Sequence, residues 1–220
     1  MRIALSQINV TVGDIDGNID RILHRIKSAK ETGVELIAFP ELSITGYPPE
    51  DLIFKSQFID DNLAALNQIV SASENITVVV GYIERHEHSI YNAAAIINDK
   101  IIIDTYKKMI LPNYGVFDEQ RYFTPGTEPT TFDINGIKTA INICEDIWSD
   151  KGPVKTQRDS GAKLLININA SPYHRGKREQ REALLSRRAA ENNMALAYVN
   201  LVGGQDELVF DGTSVIVSPE

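Results

Sequence analysis

Short apolar runs of buried-strand type alternate along the chain with amphipathic segments of helical period, and that alternation limits it to few architectures. "RIALSQINV" (2–10) is a β-branched, partly alternating strand, followed by a turn-rich "GDIDGN". Ile19, Ile22, Leu23, Ile26 and Ala29 then recur at helical spacing with charged residues between them, and Gly33 ends that helix. "VELIAFPE" (34–41) and "ITVVVGYI" (76–83) are apolar runs of the kind buried on both faces. Between them Phe58, Ile59, Leu63, Leu66 and Val70 mark a second amphipathic helix. "YNAAAIIND" and "KIIIDTYKK" predict a hairpin turning near Asn98 and Asp99. "GIKTAINI" (136–143), "AKLLININASPY" (162–173), "ALAYVNLVGG" (195–204) and "TSVIVSPE" (213–220) read as strands, with a basic helix over 177–193. The order predicts an α/β sandwich with helices outside. Residues 111–130, rich in aromatic residues, proline and glycine, form a long loop, and loops of that length in a compact domain carry function more often than not.

Composition narrows the function. A chain of 220 residues suffices for one domain with a sizeable core. A net charge of −8 argues against a general nucleic-acid or membrane-surface role. No apolar run approaches the roughly 20 residues that span a bilayer, and the N-terminus reads as a strand, not a signal peptide. The single cysteine excludes an intramolecular disulfide and fits a reducing compartment, so a cytoplasmic protein is expected. The ending just after a strand suggests a fragment of something longer.

That one thiol, Cys144, stands in "TAINICEDIWSD", directly before Glu145 and Asp146. Neighbouring anions disfavour a thiolate, so the cysteine is either inert packing or governed by groups distant in sequence. Two such groups share its address at a strand end: Glu41 after "VELIAF" and Lys108 after "KIIIDTY". Ligand sites of α/β folds gather beyond the carboxyl ends of strands. Taken singly, a strand-end cysteine is usually a small buried hydrophobe and a strand-end Lys or Glu a solvated rim. Together they meet a specific need. A thiol attacking an amide carbon requires a base that later protonates the leaving ammonia, which Glu41 can supply. The oxyanion requires positive charge, from Lys108 and a backbone N–H such as that of residue 145. An ammonium within about 4–6 Å is expected to stabilise the thiolate. Strand alternation is expected to send Glu145 to the face opposite Cys144.

The blocks "FPELSITGYPPEDL", "YKKMILPNYGVFDEQRYFTPG", "NICEDIW" and "NASPYHRGKREQRE" resemble, in order and over essentially all 220 residues, the signatures of the nitrilase (carbon–nitrogen hydrolase) superfamily. In detail they resemble the glutamine-hydrolysing domains of glutamine-dependent NAD⁺ synthetases. The resemblance implies a four-layer αββα sandwich and a Glu-Lys-Cys triad at Glu41, Lys108 and Cys144. It implies that Glu119 orients the lysine and the attacking water. It also implies that Tyr114, Ser171 and Lys177 hold the α-amino and α-carboxylate ends of L-glutamine. A zwitterionic head does need a cation for its carboxylate, such as Lys177, and acceptors for its ammonium, such as Ser171, backbone carbonyls or Tyr114.

By the same resemblance, residues 1–220 are a glutaminase domain truncated at its C-terminus. It would supply ammonia for ATP-dependent amidation of nicotinic-acid adenine dinucleotide. The expected partners are the chain's own C-terminal synthetase domain and further copies in a homo-oligomer. No cofactor is expected in this domain, and ATP and Mg²⁺ belong to the synthetase domain. No loop resembling "SGGxDS" occurs, and "VGGQDE" (202–207) is no substitute.

Other signals are weaker. His24, His86, His88 and His174 lack metal-ligand spacing, and His174 is expected to be exposed. Trp148, Tyr114, Phe117, Tyr122 and Phe123 all read as core first, with pocket lining an alternative for Tyr114 and Phe117, which flank Glu119 on the long loop. Two rivals remain: a stand-alone carbon–nitrogen hydrolase for another small ω-amide or carbamoyl substrate, and an idle scaffold. Four competent residue types in four positions argue against the scaffold.

Overall fold

The computed structural model describes all residues, Met1–Glu220. Two five-stranded sheets lie face to face, with helices on both outer faces. The first sheet has the order β1 (Ile3–Leu5), β2 (Leu36–Ala38), β3 (Thr77–His86), β4 (Ser89–Asn98) and β5 (Ile101–Lys107). The second has the order β12 (Val215–Val217), β9 (Ala195–Asn200), β8 (Leu164–Asn169), β7 (Ile137–Ile143) and β6 (Thr130–Ile134). A separate hairpin joins β10 (Val202–Gln205) to β11 (Leu208–Asp211).

The helices follow the apolar periodicity. α1 (Ile15–Glu31) is capped by the Asp14 side chain, which accepts the Gly17 N–H, and buries Ile15, Ile19, Ile22, Ile26 and Ala29. α2 (Ser56–Ala72) buries Phe58, Ile59, Leu66 and Ile69. Both pack on the outer face of the first sheet, against residues such as Ile37, Val78 and Val80. α5 (Lys177–Asn192) and the short α4 (Val154–Asp159) cover the second sheet, where Leu184, Leu185 and Ala189 meet Leu165 and Leu196. Between the sheets, Leu36, Val79 and Ile96 face Ile141, Ile166 and Val199. Each such fully buried Leu, Ile or Val contributes roughly 1.5–3 kcal/mol. A slip of one residue would turn every one of them to the wrong face.

This packing fixes where the strands end. β1, β2 and β3 are parallel, and β5 runs in the same direction because β4 is antiparallel to both its neighbours. β7, β8 and β9 are parallel in the other sheet. The chain leaves β2 towards Glu41, β5 towards Lys108, β7 towards Cys144 and β8 towards Ser171.

Several elements differ from the sequence expectations. β1 has three residues, not nine, because the chain turns away after Leu5. β6, α4 and the β10–β11 hairpin lack a marked period and are not evident from pattern alone. The hairpin expected near Asn98 turns at Asp99 and Lys100, both at positive φ. The loop over 111–130 holds one short 3-10 turn, Glu119–Arg121.

Candidate active site

Glu41 is fully buried two residues beyond Phe39. Its loop lies against β3 at Gly81, where a Cβ would meet the Leu42 nitrogen and come within 2.6 Å of the Pro40 oxygen. Glycine is required there by close approach. Lys108 is 1% exposed, and its Nζ donates to Glu41 Oε1 at 2.7 Å and to Glu119 Oε1 at 2.8 Å. Asn92 Nδ2 also donates to Glu41 Oε1, at 2.7 Å, and the Ala170 N–H donates to Glu41 Oε2 at 2.9 Å. Tyr47 Oη donates to Glu119 Oε1 at 2.8 Å, while Glu119 Oε2 is buried with no protein partner.

Cys144 does not continue β7. Its backbone sits at φ 44°, ψ −102°, outside the regions open to most non-glycine residues, and it heads the short helix α3 (Glu145–Trp148). Such strain costs about 1–3 kcal/mol and is held by its surroundings. One restraint is the Cys144 N–H, which donates to the Ile168 carbonyl at 2.9 Å. Because the chain turns here, Glu145 does not point to the opposite face as strand alternation would require. It shares a cavity with Cys144 and accepts a hydrogen bond from Tyr114 Oη at 2.9 Å.

The second carboxylate of "CED" has a structural use. Asp146 is fully buried, its Oδ1 accepting the Met109 N–H at 3.2 Å and the Ile110 N–H at 2.8 Å. Its Oδ2 accepts from Tyr106 Oη at 2.7 Å and from the Ile143 N–H at 3.0 Å. One side chain therefore fastens the end of β5, with Lys108, to the end of β7, with Cys144. Burial pushes its carboxyl up to about 6, against the hydrogen bonds it receives.

The electrostatics reverse one expectation. Burial pushes the Cys144 thiol well up, Glu41 adds to the rise, and Lys108 offsets only part of it. Burial, with Glu41 and Glu119 behind it, outweighs the one ammonium and favours the protonated thiol at rest. Burial also pushes Glu119 up to about 7, with the Lys108 ammonium pulling the other way. Burial opposes the charge on Lys108, but Glu119 and Glu41 prevail and hold its proton well above the ordinary lysine range.

A cavity of about 300 Å³ opens beside the sulfur. Tyr114, Ser171 and Lys177 line it, as do Glu145 and Trp148, whereas Glu41, Lys108 and Glu119 do not. Lys177 Nζ lies 3.8 Å from the centroid of the Trp148 ring, a cation–π contact. Trp148 packs against the core of the second sheet's outer face, as expected, and also forms a wall of the cavity, because the α3 turn brings it to the edge of the site. Phe117 lines the cavity too, and His174 is both exposed and at its rim. Tyr122 and Phe123 pack on the first core. The tip of the β10–β11 hairpin closes one side with Glu207, Leu208 and Val209.

With this geometry in hand, the sequence profile of the family described as carbon-nitrogen hydrolase matches residues 2–220. The chain belongs to the carbon-nitrogen hydrolase family. It is 47% identical, over 100% of its length, to a glutamine-dependent NAD(+) synthetase of Aquifex aeolicus, and 44% identical to that of Thermotoga maritima. It spans about two fifths of the length of these curated relatives, 39% and 38%. A structure of the Acinetobacter baumannii glutamine-dependent NAD+ synthetase with ADP superposes at a TM-score of 0.95 and 38% identity, over 99% of this chain and 41% of that one. An amidase from Nesterenkonia sp. superposes at 0.90 and 28% identity, over 100% of this chain and 82% of that one. Glu-to-Leu and Glu-to-Gln variants of that amidase carry the acetamide moiety of fluoroacetamide on the active-site cysteine.

The roles of Asn92, Tyr47 and Asp146 are not evident from the sequence. Asp146 was visible as an acidic neighbour of the cysteine, but no periodicity or spacing signals that Asn92 and Tyr47 reach Glu41 and Glu119.

Proposed function

We propose that this domain hydrolyses the side-chain amide of L-glutamine through a thioester on Cys144. The reading is carried by one observation: a buried Lys108 bonded to both Glu41 and Glu119, all three acting on a strained thiol at the wall of a cavity. As the sulfur attacks the amide carbon, its proton passes to Glu41. Lys108 and the Glu145 backbone N–H stabilise the oxyanion. The C–N bond breaks as Glu41 returns the proton to nitrogen, and ammonia leaves. Water then adds to the thioester, gives a proton to Glu41, and the C–S bond breaks to release glutamate and restore the thiol. Glu119 holds Lys108 in place and offers its free oxygen to that water. A thiol protonated at rest suits this scheme, because proton and sulfur part only when an amide is in place.

Lys177 takes the α-carboxylate of the substrate, and Ser171, Tyr114 and the Glu145 carboxylate surround its ammonium. The ammonia serves an ATP-dependent amidation of nicotinic-acid adenine dinucleotide, in a synthetase domain of a longer protein where ATP and Mg²⁺ bind. What supports this is the identity to glutamine-dependent NAD(+) synthetases and the two-fifths share of their length. An amidase reading draws support from the Nesterenkonia enzyme, of which the chain covers 82%.

The test is acid quenching during turnover of L-glutamine, followed by intact-mass and peptide analysis. A γ-glutamyl adduct on the Cys144 peptide, absent in Cys144→Ala, is expected. Turnover of propionamide with kcat/KM equal to that of glutamine would favour the amidase instead.

A further inference from the structure

Two walls of the cavity carry no reacting group: the start of α5, with Lys177, and the β10–β11 hairpin, with Glu207, Leu208 and Val209. Behind them lies Arg181, 0% exposed and the largest fully buried side chain in the protein. It stands four positions after Lys177, on the same face of α5. Its Nη1 and Nη2 donate to Asp211 Oδ2 and Oδ1, both at 3.1 Å, in the two-pronged geometry that fixes a guanidinium against a carboxylate. Asp211 is the last residue of β11. The guanidinium also lies 5.3 Å from the centroid of the Tyr198 ring on β9.

A second buried side chain joins the same lattice. Asn200 Oδ1 accepts the Ser171 N–H at 2.8 Å, and its Nδ2 donates to the carbonyls of Ser171 at 3.2 Å and Gly212 at 3.0 Å. Arg181 Nη1 reaches that same Gly212 carbonyl at 3.4 Å. The Tyr173 N–H donates to the Val209 carbonyl at 2.7 Å, closing the loop between the Ser171 segment and the hairpin.

We propose that Arg181 and Asp211 are positioning residues, a clamp that sets the spacing between Lys177, Ser171 and the hairpin, and so decides how tightly the site holds the head of its substrate. The inference rests on the glutaminase reading. A buried ion pair gains little net stability over an apolar replacement, because desolvation cancels most of the attraction. What the pair does provide is a fixed distance and angle between α5 and the end of β11. Since neither element carries Cys144, Glu41 or Lys108, loosening the clamp moves substrate binding and leaves the thiol chemistry alone.

The experiment is steady-state kinetics of Arg181→Gln, Asp211→Asn and Arg181→Lys, with L-glutamine and with propionamide, which lacks the amino-acid head. Each variant is expected to raise KM for glutamine about tenfold with kcat within about twofold, the mark of lost uniform binding. Arg181→Lys falls with the others because an ammonium keeps the charge but not the fork. kcat/KM for propionamide stays at the wild-type value. Hydrogen exchange of residues 202–211 speeds up in all three, a readout independent of any substrate. Asp211→Asn, nearly isosteric, keeps the test alive if the arginine variants fold poorly. Unchanged KM, an equal fall in kcat for both amides, or unaltered exchange over 202–211 would overturn the clamp. A wild-type protein inert towards glutamine would instead overturn the glutaminase reading, and the exchange experiment would then judge the clamp alone.

Discussion

Asp146→Asn is the most informative single perturbation of the frame that holds the site. The carboxylate takes four hydrogen bonds, from the Tyr106 hydroxyl and the N–H groups of Met109, Ile110 and Ile143. An amide keeps one accepting oxygen and turns an NH₂ towards donors, so two buried donors lose their partner. At about 1–3 kcal/mol for each stranded donor, the cost is roughly 2–6 kcal/mol, with about 4 as a central value. For a chain of this size, that corresponds to a fall of about 8–16 °C in the thermal midpoint. Tyr106→Phe removes only one of the four donors and strands none, so it should cost about 1 kcal/mol. Function should suffer more than stability implies. The brace ties Lys108 to Cys144, and a shift of about 1 Å between reacting groups costs on the order of 100-fold in turnover. Differential scanning calorimetry and ammonia release measured on the same preparations provide the check. If Asp146→Asn melts within about 2 °C of wild type and keeps its kcat, the carboxylate is not the brace described here.

Two further outcomes test the electrostatics. Glu41 raises the Cys144 thiol, so Glu41→Gln should be alkylated by iodoacetamide several-fold faster than wild type at pH 8, although its glutamine turnover falls by about 10²–10⁴ for want of a base; slower alkylation would show that the carboxylate activates the sulfur at rest. Glu119 exchanges its proton near pH 7, so kcat should rise through that pH as its carboxylate forms, and Glu119→Gln should lose this limb of the profile. The same group affects stability with a defined sign: its folded state holds the proton more tightly than the unfolded chain, whose value lies near 4.3. Its stabilising contribution is therefore complete below that value and is lost as pH rises through about 7. The stability advantage of wild type over Glu119→Gln should shrink across this window in urea titrations, and a growing advantage would reverse the assignment.

Much of the architecture was legible because period is a local property. Ile19, Ile22 and Ile26 mark α1, and Val78, Val79 and Val80 mark a strand buried on both faces, whatever the rest of the chain does. β6 and the β10–β11 hairpin were not legible, since five and four residues carry too little pattern to separate strand from loop. The site shows the same division. That Glu41, Lys108 and Cys144 end strands can be read from the residues around them. That Glu119 joins them from the long loop rested on resemblance to a family, and that Asn92 and Tyr47 do so had no signal at all.

What the sequence determined by itself is therefore the set of elements and the chemical types at their ends, because side-chain spacing dictates which face of each segment avoids water. What only the tertiary structure decided is the state of those groups. The turn at Cys144 brings Glu145 and Trp148 into the cavity, where an unbroken strand would have sent Glu145 away. Whether the sulfur keeps its proton depends first on its burial and then on the fields of Glu41, Lys108 and Glu119, scattered along the chain and made neighbours only by the packing of two sheets. Field strength falls with distance through space, and distance through space is what a linear sequence does not contain.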